Sequence, residues 1–570
     1  MFISCARGAE DSGAGMKGNE AILREGGHLS GAALFGRRAA LAGLGALAAL
    51  PAFAAEGERS APFAQGPIAD VRTFGARGDG AAIDTPAINR AIEATAAGGG
   101  GAVMVPAGRY LCFSIRLRDN VTLWLAAGAV IVAADPGTHG RHYDAPENYL
   151  EEQFQDFGIT HVRNSLISAD GIANASIVGE GMLHGLGLDR EGPGDRWHAR
   201  ANWQSAAALG ISPRELALRD EAEAAQVGRA NKTIGLMNCR NVRLEGFTIL
   251  QGGHFGVIAH GCSNLVIDGL TVDTDRDGID IDCCRDVRVT NCLVNAPKDD
   301  AIVLKSSFAM GRAVPCENIL IAGCRTSGFA MGSLLDGTYR PSEYRSPDGL
   351  GPLGRIKLGT ETNGGFRNVR IADCICTASR GILVGIVDGG TLEDVSVSGV
   401  ILRDPVNHPL FVHHAARMRA PRGTLPGAVR RISFDGIEVS GAKAAFPCGV
   451  EGIADGPVED VSFRDIRVTA RGGGTDADAQ REPEYRRETS LEVSYLKTLP
   501  AHGLYARHAR RLTVRGCDFR LETPDARPTI ALRHVESALI DGVTSPQPRE
   551  RMISMDKTSR AALGNLQTMT

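Results

Sequence analysis

A chain of 570 residues is longer than an average single domain, so one fold can span it only if the architecture grows along an axis. Glycine is frequent at 71 residues, apolar residues make up 43 % and aromatics 5 %, enough for a large core built from small and aliphatic side chains. With 62 basic against 66 acidic residues and a net charge of −4, no global field draws nucleic acid or an anionic membrane surface, and neither is expected as a partner.

Near the N-terminus Arg37-Arg38 is followed by Ala39–Phe53, an uncharged Ala/Leu-rich run of 15 residues that ends in Pro-Ala-Phe-Ala-Ala. Such a run is short for a bilayer span, and its small terminal residues suit signal peptidase. The paired arginines point to twin-arginine export of a folded protein. Residues 1–55 are therefore expected to be removed, leaving a periplasmic or secreted protein. An uncleaved anchor or a disordered tail is the alternative.

A single catalytic unit is expected over residues 67–550. Its opening, Phe74-Gly75-Ala76-x-Gly78-Asp79-Gly80, is rich in turn formers, and Asp84–Ala97 has helical spacing through Ile88, Ala91, Ile92 and Thr95. The run Gly98–Gly101 stops that helix. Short alternating strands are predicted at Ala102–Val105, Tyr110–Phe113, Val121–Leu125 and Val130–Ala133. A helix ahead of stacked short strands would cover the open edge of a solenoid.

A unit of Asn or Asp, apolar–x–apolar, turn, then apolar alternation recurs at 238–247, 261–270, 283–292 and 315–324. Further copies lie at 365–374, 391–400, 428–437, 457–466 and 508–517, with a degenerate one at 171–180. The tightest spacings between marks, Asn241 to Asn264 and Asn264 to Asp286, are 23 and 22 residues. Periods of this length built from short strands mean an all-β solenoid, here a right-handed parallel β-helix with an N-terminal capping helix. A β-propeller would need hairpins and longer periods. Two insertions, 184–230 (with Trp197, Trp203 and a helical stretch at 213–227) and 334–354, are expected to wall a cleft on one side of the stack.

The acidic stretch Thr271–Ser307 carries Asp273, Asp275, Asp277, Asp280 and Asp282, then Asp299-Asp300. Asp277 and Asp299 are 22 residues apart, one repeat, so stacking brings the two knots onto neighbouring coils ~4.8 Å apart. Glycoside hydrolysis needs one protonated and one ionised carboxyl group, and crowding raises at least one pKa. Metal binding competes. Asp273-x-Asp275-x-Asp277-Gly278 begins like an EF-hand loop, but the twelfth position is Cys284 and no flanking helices are predicted, which leaves a calcium site of another kind. Solvated turn aspartates would account for Asp273 and Asp275, though not for Asp299-Asp300 beside apolar Ala301-Ile302-Val303. In Arg355-Ile356-Lys357 two cations share a strand face, suited to a uronate carboxylate or to neutralising the aspartates.

These motifs resemble glycoside hydrolase family 28, the polygalacturonases and rhamnogalacturonan hydrolases. The resemblance covers roughly residues 68–470 and includes the opening Phe-Gly-Ala-x-Gly-Asp-Gly. The family's Asn-x-Asp-Gly resembles Asp275-Arg276-Asp277-Gly278, its Asp-Asp matches Asp299-Asp300 and its Arg-x-Lys matches Arg355-Ile356-Lys357. It implies Asp299 as general acid, Asp277 and Asp300 holding and activating water, Arg355 and Lys357 gripping a substrate carboxylate, inversion, and no metal or other cofactor. The family's Gly-His-Gly histidine, due near 327, is absent from Thr326–Ser333, and Asp275 stands for the usual Asn. His254, His260 and Tyr339 are candidates for compensating contacts, and the expected enzyme is an exo-acting or side-chain-specific pectin hydrolase, working as a monomer. The rivals are a calcium-dependent pectate lyase and a non-catalytic β-helix glycan-binding protein.

Thirteen cysteines suggest disulfides in an exported protein. Their placement argues otherwise. Cys239, Cys262 and Cys284 recur once per repeat, and Cys292, Cys324 and Cys374 share a second position, the pattern of small buried side chains stacked in register.

Overall fold

The computed structural model describes residues 66–146, 161–190 and 228–569. The export segment, Trp197, Trp203 and the helix expected over 213–227 lie outside the described residues. The described residues form one unit.

Among the described residues every paired strand is parallel to its neighbour, and the strands fall into a 28-stranded and a 15-stranded sheet. The first sheet comprises two ladders joined at a corner, so each coil has three faces. One coil reads Phe255–His260, Ser263–Asp268, Thr271–Asp273, and the next reads Asp277–Asp282, Arg285–Thr290, Leu293–Asn295. Register is kept residue for residue: Phe255 lies opposite Asp277, Ser263 opposite Arg285 and Thr271 opposite Leu293. All ten copies of the repeat are strands of one ladder, from Ser176–Gly179 through Arg285–Thr290 to Leu512–Arg515. The stack is the right-handed parallel β-helix that the periodicity predicts. Its coils continue past residue 550 to Gln567–Thr568, because the last strands still pair in register, Ile530 with Ile553 and Thr544 with Gln567.

The repeat's Asn/Asp mark has a backbone cause. Asn241, Asn264, Asp286, Asn318 and Asn368 all take positive φ, between 52° and 59°, where short polar side chains are tolerated best. Their amides stack, Asn264 donating to Asn241 Oδ1 (2.9 Å), Asn318 to Asp286 Oδ1 (2.9 Å) and Asn368 to Asn318 Oδ1 (2.9 Å). Each link contributes about 0.5–1.5 kcal/mol net. Further along, the same corner switches to ion pairs, Arg431 with Asp394 and Arg511 with Asp460.

Inside, one continuous cluster of Ile, Val, Leu and Cys runs the length of the stack. The twelve described cysteines are all buried and free, as the stacking pattern predicts. Cys262 N–H donates to Cys284 Sγ on the next coil at 3.2 Å. The capping helix is Thr85–Ala97, with Ala87, Ile88, Ala91, Ile92 and Thr95 turned onto the first coils. Asp84, just ahead of it, accepts the N–H groups of Arg77 and Gly78, which ties the glycine-rich opening to the cap.

The stretch 471–503, whose role the repeat pattern leaves unassigned, leaves the stack and returns over its outer face. It includes a four-residue helix, Asp476–Ala479, begun by a capping box from Thr475 and Asp478. Leu491, Val493 and Leu496 bury themselves against Leu383, Phe411 and Tyr505. No described helix is long and apolar enough to cross a membrane.

Candidate active site

The site lies on the outer face of the ladder that runs through Phe255–His260, Asp277–Asp282, Ile302–Ser306 and Ile356–Thr362. Alternation turns Ile279, Ile281, Ile302 and Leu304 into the core and leaves Asp280, Asp282 and Lys305 outside. Between these two coils the register is 23 residues, not 22, since Ile279 pairs with Ile302. Asp277 therefore stacks on Asp300 rather than Asp299. Asp300 N–H donates to Asp277 Oδ1 (3.2 Å) and to Asp299 Oδ1 (3.1 Å), so one backbone donor holds both carboxylates.

The three aspartates differ in environment. Asp299 is the accessible one, with a side chain 23 % exposed, against 6 % for Asp277 and 4 % for Asp300. Asp300 accepts Arg355 Nε (2.6 Å) and lies 3.1 Å from Lys357 Nζ. Burial works against its ionisation, but these two cations overcome it and bring its pKa to about 2. Asp277 goes the other way. Burial, then the neighbouring charges of Asp280 and Asp299, push its pKa well above the carboxylate range, with Lys305 (3.7 Å) opposing. Asp280 is raised by burial to about 7 although Lys305 Nζ is 2.8 Å away.

His254 joins this group. It, Asp277 and Asp299 each offer one donor atom, and the three atoms lie within 4.8 Å of one another. Arg276 Nη2 is 3.1 Å from both His254 Nε2 and Asp299 Oδ2. A guanidinium only donates, so Nε2 accepts and the ring carries its proton on Nδ1, which is buried without a hydrogen-bond partner among the described residues. Burial, then Arg276, keep the imidazole neutral by lowering its pKa well below the usual value. The same guanidinium sits where an ion shared by His254 and Asp299 would have to go, so these donors suit a hydrogen-bonded acid centre better than a metal.

Arg355 and Lys357 share a face, as the alternation predicts, and both are buried, at 2 % and 6 % exposure. Each meets Asp300 and also Glu492, delivered by the 471–503 excursion: the Arg355 fork donates to both Glu492 oxygens, and Lys357 Nζ is 3.9 Å away. Arg380, 3 % exposed, donates to Glu492 Oε2 (3.0 Å) and to Asp348 (2.6 Å), pinning the excursion to the 334–354 loop. From that loop Tyr344, not Tyr339, comes within electrostatic reach of Asp299 and Arg276. Tyr339 is 54 % exposed and meets the Phe329 ring edge-on at 5.7 Å.

The remaining acids hold structure. Asp273 and Asp275 are not solvated turn residues: at 0 % and 5 % exposure they are buried. Asp273 accepts Asn295 Nδ2 and the N–H groups of Leu334 and Leu335, anchoring the loop, while Lys298 lies 3.2 Å from Asp275. His260 is buried against Asp282 (2.8 Å), which also accepts the Ser307 N–H and hydroxyl. Lys305, Arg276, Arg380 and Glu492 were not anticipated. Lys305 occupies an outward position two residues after Val303, a signal that strand alternation offers; Glu492 lies outside the repeat and has none.

Residues 68–228 match the family described as rhamnogalacturonase A/epimerase, pectate lyase-like, and residues 223–333 match the right-handed beta helix region family. A probable polygalacturonase of Vitis vinifera is 24 % identical over 354 residues, 58 % of this chain and 60 % of that protein. An exo-poly-alpha-D-galacturonosidase of Dickeya chrysanthemi is 24 % identical over 269 residues, 43 % of this chain and 42 % of that one. The chain thus spans about half the length of these curated relatives. Among solved structures, an exopolygalacturonase of Thermotoga maritima superposes with a TM-score of 0.52 at 21 % identity, covering 71 % of this chain and 87 % of that one. A family 28 exopolygalacturonase of Yersinia enterocolitica gives 0.50 at 18 % identity, covering 88 % and 77 %. The chain accordingly has the right-handed β-helix fold of the pectin-lyase-like proteins, with sequence relatives among polygalacturonases.

Proposed function

We propose that the chain is a glycoside hydrolase that cleaves galacturonate-containing pectic polysaccharide or oligosaccharide, exo-acting or specific for side-chain linkages. The observation that carries this reading is the cluster itself: a buried Asp277, its pKa pushed well above the carboxylate range by burial, within 4.8 Å of an accessible Asp299 and beside an Asp300 paired with Arg355 and Lys357. In the reaction a proton passes between Asp277 and Asp299, whose oxygens lie within 4.8 Å of each other. With the proton on Asp299, that carboxyl donates it to the glycosidic oxygen as the bond to the anomeric carbon breaks. Water held by Asp300 adds to that carbon and gives its proton to Asp277, from which it returns to Asp299. The usual inverting separation is ~6.5–9.5 Å, and the Asp277–Asp299 oxygens are closer, within 4.8 Å. Inversion is nonetheless the expected outcome, because buried Asp277 and Asp300 can be reached by water but not by a sugar carbon.

The test is a digest of polygalacturonate and rhamnogalacturonan with and without EDTA, wild type beside Asp299→Asn. New reducing ends, indifference to EDTA, inverted product by NMR and a dead mutant are expected. Unsaturated product abolished by EDTA would instead mean a lyase, and no turnover on either polymer a glycan-binding protein. We also propose export by the twin-arginine route, checked by N-terminal sequencing of the protein from the periplasm or medium, with cleavage expected near residue 55.

A further inference from the structure

An anionic sugar would be expected to use the pair that the strand alternation points to, Arg355 and Lys357. That pair is already engaged. Glu492 takes both terminal nitrogens of Arg355, the bidentate position a uronate carboxylate would need, and accepts Arg380 Nη1 at 3.0 Å. Asp300 takes Arg355 Nε, and Asp348 takes Arg380 Nη2. Three cations here face three carboxylates, leaving no net positive charge.

Glu492 is also held in place. Its neighbours Leu491 and Val493 are 0 % and 3 % exposed. Leu491 is keyed against the bare Cα atoms of Gly359 and Gly385 on successive coils, where a Cβ would fall 2.0 and 2.4 Å from it. Withdrawing Glu492 would mean pulling Leu491 from this seat. Yet the Glu492 side chain is 38 % exposed, far more than Arg355 at 2 %, so the group that solvent reaches here is the carboxylate and not the cation.

We propose that Glu492 determines specificity: it fills the carboxylate position on Arg355 and Lys357, so the sugar bound there is neutral, its hydroxyls donating to Glu492, and a uronate is excluded from that subsite. The assignment rests on the glycoside-hydrolase reading and refines it toward linkages in which a neutral sugar adjoins galacturonate. It makes Glu492 a substrate contact with no part in proton transfer.

Calorimetric titration with galacturonate and with galactose, two sugars that differ in the carboxylate, tests this without turnover. Wild type should bind galactose and bind galacturonate no more tightly. Glu492→Gln, which keeps the shape and removes the charge, should gain roughly tenfold for galacturonate relative to galactose, the scale of one charge-assisted hydrogen bond. Glu492→Ala should move the same ratio the same way. A wild type that prefers galacturonate tenfold, variants whose ratio stays within twofold of wild type, or binding of neither sugar would each overturn the proposal. The digest separates the two readings: sugar binding as expected with no hydrolysis of any polymer would sink the hydrolase and leave the subsite assignment standing.

Discussion

Replacing Asp300 with Asn keeps the side chain's size and removes its charge from between Arg355 Nε (2.6 Å) and Lys357 Nζ (3.1 Å), both buried. Two magnitudes bound the effect. Asp300 has a pKa of about 2 against an unfolded value near 3.9, and that gap is worth about 2.6 kcal/mol of stability at neutral pH. Breaking a buried ion pair outright costs about 3–5 kcal/mol, because the partner is left uncompensated. Here Glu492 still neutralises part of Arg355, so a loss of about 2–4 kcal/mol is expected. The pKa is lowered in the fold, so the contribution is complete above pH ~4, falls to about half near pH 3 and vanishes below pH 2. Urea unfolding of wild type and Asp300→Asn at pH 7, 5 and 3 reads it directly. A gap under about 0.5 kcal/mol at pH 7, or one equally large at pH 3, would refute the reasoning.

Lys305→Met removes the cation 2.8 Å from Asp280 and 3.7 Å from Asp277. Both carboxyls should then titrate higher, so the acid limb of the pH–rate profile should move to higher pH, with kcat at least tenfold lower. Asn264→Ala breaks an amide ladder at a φ of 53° and should cost about 1–2 kcal/mol in urea unfolding, whereas Asn264→Gly, free of the backbone penalty, should cost less. The buried thiols should react with a thiol reagent only after denaturation; fast labelling of the folded protein at Cys283 or Cys284 would contradict their burial.

Much of this arrangement is readable in the chain, for local reasons. The repeat is legible because the same position in each coil must adopt a left-handed backbone, and Asn or Asp fills it at Asn241, Asn264, Asp286, Asn318 and Asn368. Asp299-Asp300 stands out because it directly precedes the apolar run Ala301-Ile302-Val303-Leu304. Spacing alone misassigns the stacking partner by one residue, since the coil carrying the site is 23 long and pairs Asp277 with Asp300. The apparent turn aspartates are buried because a loop from another coil descends on Asp273, which no pattern within the repeat reveals. His254, a candidate for a compensating contact, comes within 4.8 Å of two of the acids because the coil before Asp277 stacks beneath it. Glu492 is silent for a related reason: like the loop over Asp273, it arrives from outside the repeat.

That last contact bears on how the molecule assembles. In a solenoid nearly every contact joins adjacent coils, so the stack can grow from either end with little loop closure at each step. Glu492 breaks the rule, meeting Arg355 across 137 residues and Arg380 across 112. During synthesis the acid centre and its cations are therefore complete long before the residue that caps them emerges. Until then Arg355, Lys357 and Arg380 lack one of their counter-charges, and a partly made chain is more cationic at this face than the finished one. The excursion is thus a late, high-separation closure laid on a stack of local ones, and truncation before residue 490 should leave coils that still stack around a site whose sugar preference has been rewritten.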